Sequence, residues 1–175
     1  MRRCVLVLTG VLIVTATARG AEVYSTIGPG SSFRTDAAWG VWGPAATFIT
    51  PQGPVVVGNQ DIAAPFTVGP GQDYSLVSAT LALAHSGKSD SLTVRLFSDS
   101  AGLPGANLAS TAVINVPASP TLMSADFSSA NVTLEAGKAY WLVADANADS
   151  TIQWQWTSTD VTGFGAWIPR QRALH

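Results

Sequence analysis

Charged and chemically reactive side chains are scarce in this sequence. Only 11% of the 175 residues are charged, against roughly 25% in an ordinary soluble domain. His85 and His175 are the only histidines, so the sequence offers few imidazoles for a Ser-His-Asp triad or a histidine metal site. Glycoside hydrolysis needs two placed carboxylates, whereas Glu22 and Glu135 fall in an irregular segment and a turn. We therefore predict that the protein is not an enzyme and has no catalytic residue, cofactor or metal.

The first twenty residues have the pattern of a secretory signal peptide. Arg2 and Arg3 precede an apolar run over residues 5–14, and small residues follow it. The run is too short to span a bilayer comfortably. The only cysteine, Cys4, would leave with residues 1–20, so we expect an exported domain without a disulfide. The predicted location is secreted or extracellular, with the periplasm as the alternative.

Basic residues are concentrated in that N-terminal segment. Three of the nine lie in residues 1–20, which contain no acidic residue, so the rest of the chain is acidic. Nucleic acids attract basic surfaces, and we expect no nucleic-acid partner. A polar surface that is poor in charge suits a glycan or components of the cell envelope instead.

Alternating apolar and polar residues are the main structural signal. Leu92, Val94 and Leu96 alternate with Thr93 and Arg95, which predicts a central strand with one buried face. Ser-Asp-Ser-Ala-Gly at residues 98–102 predicts that this strand ends there and continues into a structured loop. The predicted strands lie at residues 64–68, 77–83, 92–96, 108–116, 123–127, 132–134, 140–144 and 152–156.

Turn-forming residues recur between these segments at the spacing expected of a sandwich or barrel. No stretch shows a sustained helical period. We therefore predict an all-β fold, an antiparallel β-sandwich of about eight strands that resembles a jelly roll. Residues 21–58 are predicted to be an N-terminal extended arm with short strands, residues 59–175 the β-sandwich domain, and residues 21–175 one folded unit.

Tryptophans and glutamines supply the candidate ligand-binding residues. Aromatic faces stack on sugar rings, and side-chain amides bind hydroxyl groups. The same tryptophans could instead fill the core, which is the commoner place for this residue. The first alternative predicts a carbohydrate-binding module, and the second, which we favour, predicts a non-catalytic structural or surface protein. The candidate residues are Trp39, Trp42, Trp154, Trp156, Trp167, Gln153 and Gln155.

Alternating oxygen-bearing residues near residue 147 invite a comparison with a calcium loop. Asp145, Asn147 and Asp149 match the first ligand positions of an EF-hand. However, Ser150 stands where that loop requires glycine, and Trp156 stands at its twelfth position. Because Asp and Asn are also standard turn residues, we favour a polar hairpin turn.

Five segments of the sequence recur in the same order in a known family: residues 65–68, 74–76, 92–100 with 102–105, 134–137 with 140–143, and 154–156. Together they resemble the bacterial exported domains called choice-of-anchor proteins, the R type in particular. The resemblance implies an exported jelly-roll-like domain of unassigned role, usually followed by a sorting or anchoring tail. From residue 168 to residue 175 the sequence contains no apolar segment of that kind, so we expect no stable membrane anchor in this chain.

Overall fold

The structure, a computed structural model, describes residues 32–56, 58–86, 91–157 and 166–168. Strands make up most of this part of the chain, and a single 3₁₀ turn lies at Ser128–Ala130. The prediction of an all-β fold is therefore confirmed. The strands are β1 (Phe33–Trp42), β2 (Thr47–Thr50), β3 (Gly53–Val56), β4 (Asp61–Thr67), β5 (Tyr74–Ser75), β6 (Ser78–His85), β7 (Leu92–Ser100), β8 (Leu103–Val113), β9 (Thr121–Asp126), β10 (Thr133–Leu134), β11 (Ala139–Ala146), β12 (Thr151–Thr157) and β13 (Ala166–Ile168).

Two antiparallel sheets form the body of the protein. The four-stranded sheet has the order β1-β12-β6-β9, and the five-stranded sheet has the order β13-β4-β11-β7-β8. Both sheets contribute to one buried cluster, for example through Leu83 and Ile152 from the first and Val94 and Ala144 from the second. The core therefore lies between two sheets, which confirms the predicted antiparallel sandwich.

Strand β7 has the burial that its sequence pattern predicts. Leu92, Val94 and Leu96 have no exposed surface, while Thr93 and Arg95 are only partly buried. β7 lies between β11 and β8, so it is an interior strand of its sheet. Hydrophobic burial on one face of a strand with neighbours on both sides accounts for the strict alternation.

The strand does not end in a structured loop after Phe97, and that prediction was wrong. β7 continues to Ser100, and a turn of Ala101 and Gly102 leads directly into β8. Both turn residues have positive φ, 54° and 80°, the mirror-image turn geometry that matches the twist of paired strands. Alanine rarely adopts this conformation, so the sequence carries no clear signal for such a tight hairpin.

Side chains tie this hairpin to the neighbouring strand. The Asp99 carboxylate accepts hydrogen bonds from the backbone N–H of Gly102 at 3.1 Å and from the indole N–H of Trp141 at 2.8 Å. Trp141 is 6% exposed and packs with Ala63 and Val143 on the face of the five-stranded sheet that points away from the main core. Asp99 therefore has a structural role that accounts for the polar Ser98–Ser100 stretch.

Candidate functional site

The register between β1 and β12 sorts the candidate residues into two groups. Trp42 lies opposite Thr151, and the polar side chains at 153 and 155 lie opposite Gly40 and Ala38. Side chains two residues apart share a face of a strand. Trp42, Gln153 and Gln155 are therefore brought together on the face of the four-stranded sheet that points away from the core.

Two other candidates lie on the opposite face of the same strands. Trp39 and Trp154 are directly opposite each other in the register. Trp154 packs against the main core cluster, and Trp39 is 42% exposed. The side chains of Trp156 and Trp167, which were also predicted to bind ligand, lie outside the described residues.

The ribbon formed by β2 and β3 supplies a wall beside Trp42. The Phe48 ring on β2 meets the Trp42 indole edge to face, with 5.4 Å between ring centroids and an angle of 74° between the planes. Backbone hydrogen bonds of 2.9 Å in both directions between Trp42 and Gln60 fix the base of the segment that carries the ribbon. Phe48 was not singled out from the sequence, because its place beside Trp42 depends on how this ribbon folds back.

Glycine at position 40 allows the indole to lie close to its own strand. A Cβ atom at Gly40 would come within 2.4 Å of the Trp42 Nε1 atom. The Gly40 carbonyl also accepts a hydrogen bond of 2.7 Å from the side-chain amide of Gln60. The indole therefore lies against the backbone of its own strand at Gly40, with the Phe48 ring beside it.

These elements enclose an open cleft of about 360 Å³, which we call the Trp42 cleft. The volume lies within the roughly 300–1,000 Å³ range of small-molecule sites. Gln153 is exposed, whereas Gln155 is 5% exposed and its amide donates a long hydrogen bond of 3.5 Å to the Gln153 Oε1 atom. The residues that line the Trp42 cleft include Thr35, Asp36, Trp42, Phe48, Gln153 and Gln155.

Two side chains of opposite charge lie next to each other at the rim of the Trp42 cleft. Arg34 and Asp36 form two hydrogen bonds of 2.9 and 2.8 Å between guanidinium and carboxylate. This contact holds the pKa of the Asp36 carboxyl below its usual value, with the Arg34 hydrogen bond as the largest cause. Both side chains are exposed, so the pair contributes little stability. It leaves the cleft without a net charge from these two groups.

We expect the Asp36 carboxyl to titrate below the ordinary aspartate range in a carbon-detected NMR titration. Because the folded-state pKa is the lower one, the pair stabilises the fold above the unfolded-state pKa, and this contribution is lost as the pH falls through the folded-state value. Arg34→Met should raise the pKa toward its usual range, with the Asp36 backbone hydrogen bond still lowering it, and Arg34→Lys should raise it less. An unchanged pKa in Arg34→Met would contradict the assigned cause.

The residues of the calcium-like pattern do not converge on one point. The Asp145 carboxylate is 5% exposed and forms an ion pair with Arg95. The Asn147 side chain instead accepts a hydrogen bond from Thr93 and donates one to Ser91. Across the described ranges, no group of three or more His, Cys, Asp or Glu side chains could hold a metal ion.

Comparisons with known proteins do not assign this chain to a family. No family profile, curated protein or solved structure matches this chain. The resemblance to choice-of-anchor proteins therefore stays a prediction. Among the residues that the structure describes, no helix is both long and apolar enough to cross a membrane.

Proposed function

We propose that this protein is an exported, non-catalytic β-sandwich that binds a neutral saccharide in the Trp42 cleft. The observation that carries the proposal is the convergence of Trp42, Phe48, Gln153 and Gln155 in one open cleft. The signal-peptide pattern of residues 1–20 and the resemblance to exported choice-of-anchor domains support an extracellular setting.

The chemistry of the Trp42 cleft suits a sugar ring. An indole offers a broad apolar surface for the C–H face of a pyranose, and the Trp42 indole already lies against Gly40 and Phe48. The side-chain amide of exposed Gln153 offers both a donor and an acceptor for hydroxyl groups. Because the Arg34–Asp36 pair is internally compensated, the cleft favours a neutral ligand over a charged one.

The test is tryptophan fluorescence with acrylamide quenching, followed by titration against a panel of neutral polysaccharides. We expect one glycan to protect Trp42 from quenching. Trp42→Ala and Gln153→Ala should each weaken binding, Trp42→Ala by about thirtyfold or more, as for a central aromatic contact. Gln153 is exposed, so its replacement tests binding with little effect on folding.

Trp39→Ala is the matched control. Trp39 is an exposed tryptophan of the same strand, but it lies on the opposite face from the cleft. Its loss should change the total fluorescence and leave the affinity unchanged. Equal loss of affinity in Trp39→Ala and Trp42→Ala, or no effect of any glycan on quenching, would contradict the proposed site.

A structural or surface role is the second candidate, favoured by the apolar β2–β3 ribbon. Ile49 is 82% exposed and Val56 is 64% exposed, with no charged residue between Pro44 and Gln60. Exposed apolar groups of this kind often mark contact surfaces. This candidate predicts binding to purified cell-envelope material that Ile49→Thr and Val56→Thr weaken and Gln153→Ala leaves unchanged.

A further inference from the structure

Three of the four outer strands of the two sheets carry features that discourage pairing with another chain. β1 bears the charged Arg34–Asp36 pair and a register irregularity between Phe33 and Ala38. β9 has six residues, follows Pro120 directly and ends in Asp126. β13 spans three residues in the described part of the chain. Charges, prolines, bulges and short length are the usual means by which proteins protect sheet edges.

The fourth outer strand, β8, lacks this protection in its second half. It has eleven residues and ends the five-stranded sheet, with β7 as its neighbour on one side in the part of the chain that the structure describes. Pro104 and the register shifts opposite Leu96–Asp99 affect only its first half. From Ala109 to Val113 it pairs with β7 in an unbroken register, so its other edge presents a regular row of backbone donors and acceptors.

The strand β8 and the segment that follows it are uncharged and partly apolar, and Arg95 on β7 is the charged residue opposite it, at Ser110. No Asp, Glu, Lys or Arg occurs between Asp99 and Asp126. Leu108 on the strand is 41% exposed, and Ile114 directly after it is 61% exposed. A second strand placed along this edge would therefore gain main-chain hydrogen bonds and cover apolar side chains without desolvating a charge.

We propose that β8 of one copy pairs antiparallel with β8 of a second copy across a twofold axis, which joins the two five-stranded sheets into one continuous sheet. A neutral strand is compatible with itself in such a pair, because no like charges are brought opposite each other. The contact is isologous, because both copies use the same strand, and it leaves the β8 edge of neither copy unpaired. Since each copy contributes this one edge to the contact, the twofold assembly closes at two copies.

The test measures the mass of the full-length protein by sedimentation equilibrium over a wide concentration range. We expect a reversible monomer–dimer equilibrium. Ala112→Lys places a lysine on an exposed position of β8 that lies opposite the uncharged Thr93 of β7. It should raise the dissociation constant of the dimer by about fivefold through repulsion between the paired strands.

The matched control is Thr80→Lys. Thr80 is exposed on β6, an interior strand of the four-stranded sheet, and lies opposite the uncharged Ser124 of β9. The control should dimerise like the wild type. Equal weakening in Ala112→Lys and Thr80→Lys, or an unchanged dimer in Ala112→Lys with a native circular dichroism spectrum, would overturn the proposal.

Hydrogen exchange of the unmodified protein gives a second readout that does not depend on a variant folding. Amides of residues 109–113 should exchange more slowly in concentrated than in dilute solution, and those of β6 should not change. Equal exchange of residues 109–113 at both concentrations would also overturn the proposal. A monomer at every concentration would likewise overturn the proposal. A strand from another protein would then be the remaining partner for this edge.

Discussion

Replacing Gly43 by alanine is expected to lower the free energy of unfolding by about 3 kcal/mol, at the upper end of the usual cost of overpacking. A Cβ atom at this position would lie 2.2 Å from the carbonyl oxygen of Ala148 and 2.7 Å from that of Asn147. Both neighbours are backbone atoms, so no flexible side chain can move aside. The added methyl group must push two chain segments apart.

Those two segments are bonded to each other at the same point. The Gly43 N–H donates to the Ser150 carbonyl at 2.9 Å, and the Ala45 N–H donates to the Ala148 carbonyl at 3.0 Å. The turn after β1 is thus attached to the turn between β11 and β12. Separating them would weaken both hydrogen bonds, each worth about 1 kcal/mol, next to the strand pair that carries the Trp42 cleft.

Gly69→Ala is the matched control for this prediction. No atom lies within 4 Å of a Cβ built at Gly69, and its φ is outside the left-handed region. Alanine at such a position leaves stability unchanged or raises it by about 0.4–1 kcal/mol through the unfolded chain. Urea unfolding at constant slope measures both variants, and similar midpoints for the two would contradict the close backbone approach.

Phe127→Ala is expected to cost about 3–5 kcal/mol, a large fraction of the roughly 5–15 kcal/mol that stabilises a typical domain. Phe127 is 1% exposed and is the largest of the fully buried side chains in the described residues. It belongs to the cluster that joins the two sheets, together with Val116 and Leu81. Truncation would remove its transfer free energy and leave a cavity between the sheets.

Two further variants separate the cavity from the mere loss of an apolar group. Phe127→Leu retains most of the volume and should cost less than half as much. Ile49→Ala removes apolar atoms from an 82% exposed side chain and should change stability by about 0.5 kcal/mol or less. Thermal unfolding followed by circular dichroism compares all three. Equal losses for Phe127→Ala and Ile49→Ala would show that Phe127 does not support the core.

Strands with a single buried face were predictable because the evidence for them is local. Residues 92–96 and 140–144 were expected to form strands, and they lie within β7 and β11. The separation of polar Gln153 and Gln155 from Ile152 and Trp154 was also visible in the sequence, and it matches the two faces of β12. A period of two residues determines which side chains share a face, whichever strand lies alongside.

Features that depend on two distant segments could not be predicted. The tight turn at Ala101 and Gly102 requires positive φ at an alanine. The pairing of β7 with β8 offsets the free-energy cost of that conformation. The contact between Phe48 and Trp42 requires the β2–β3 ribbon to fold back over β1. Neither the turn nor the ring contact follows from propensity or periodicity, because both depend on the packing of the whole chain.

By itself, the sequence determined an all-β protein with antiparallel strands, few ionisable groups and a signal-peptide pattern. The tertiary structure alone decided that Trp42 joins Gln153 and Gln155 in a cleft while Trp39 and Trp154 lie on the other face. It also decided that β8 lies at an outer edge. Strand order and register are set by contacts between residues far apart in the chain, and these depend on how all the buried faces pack together.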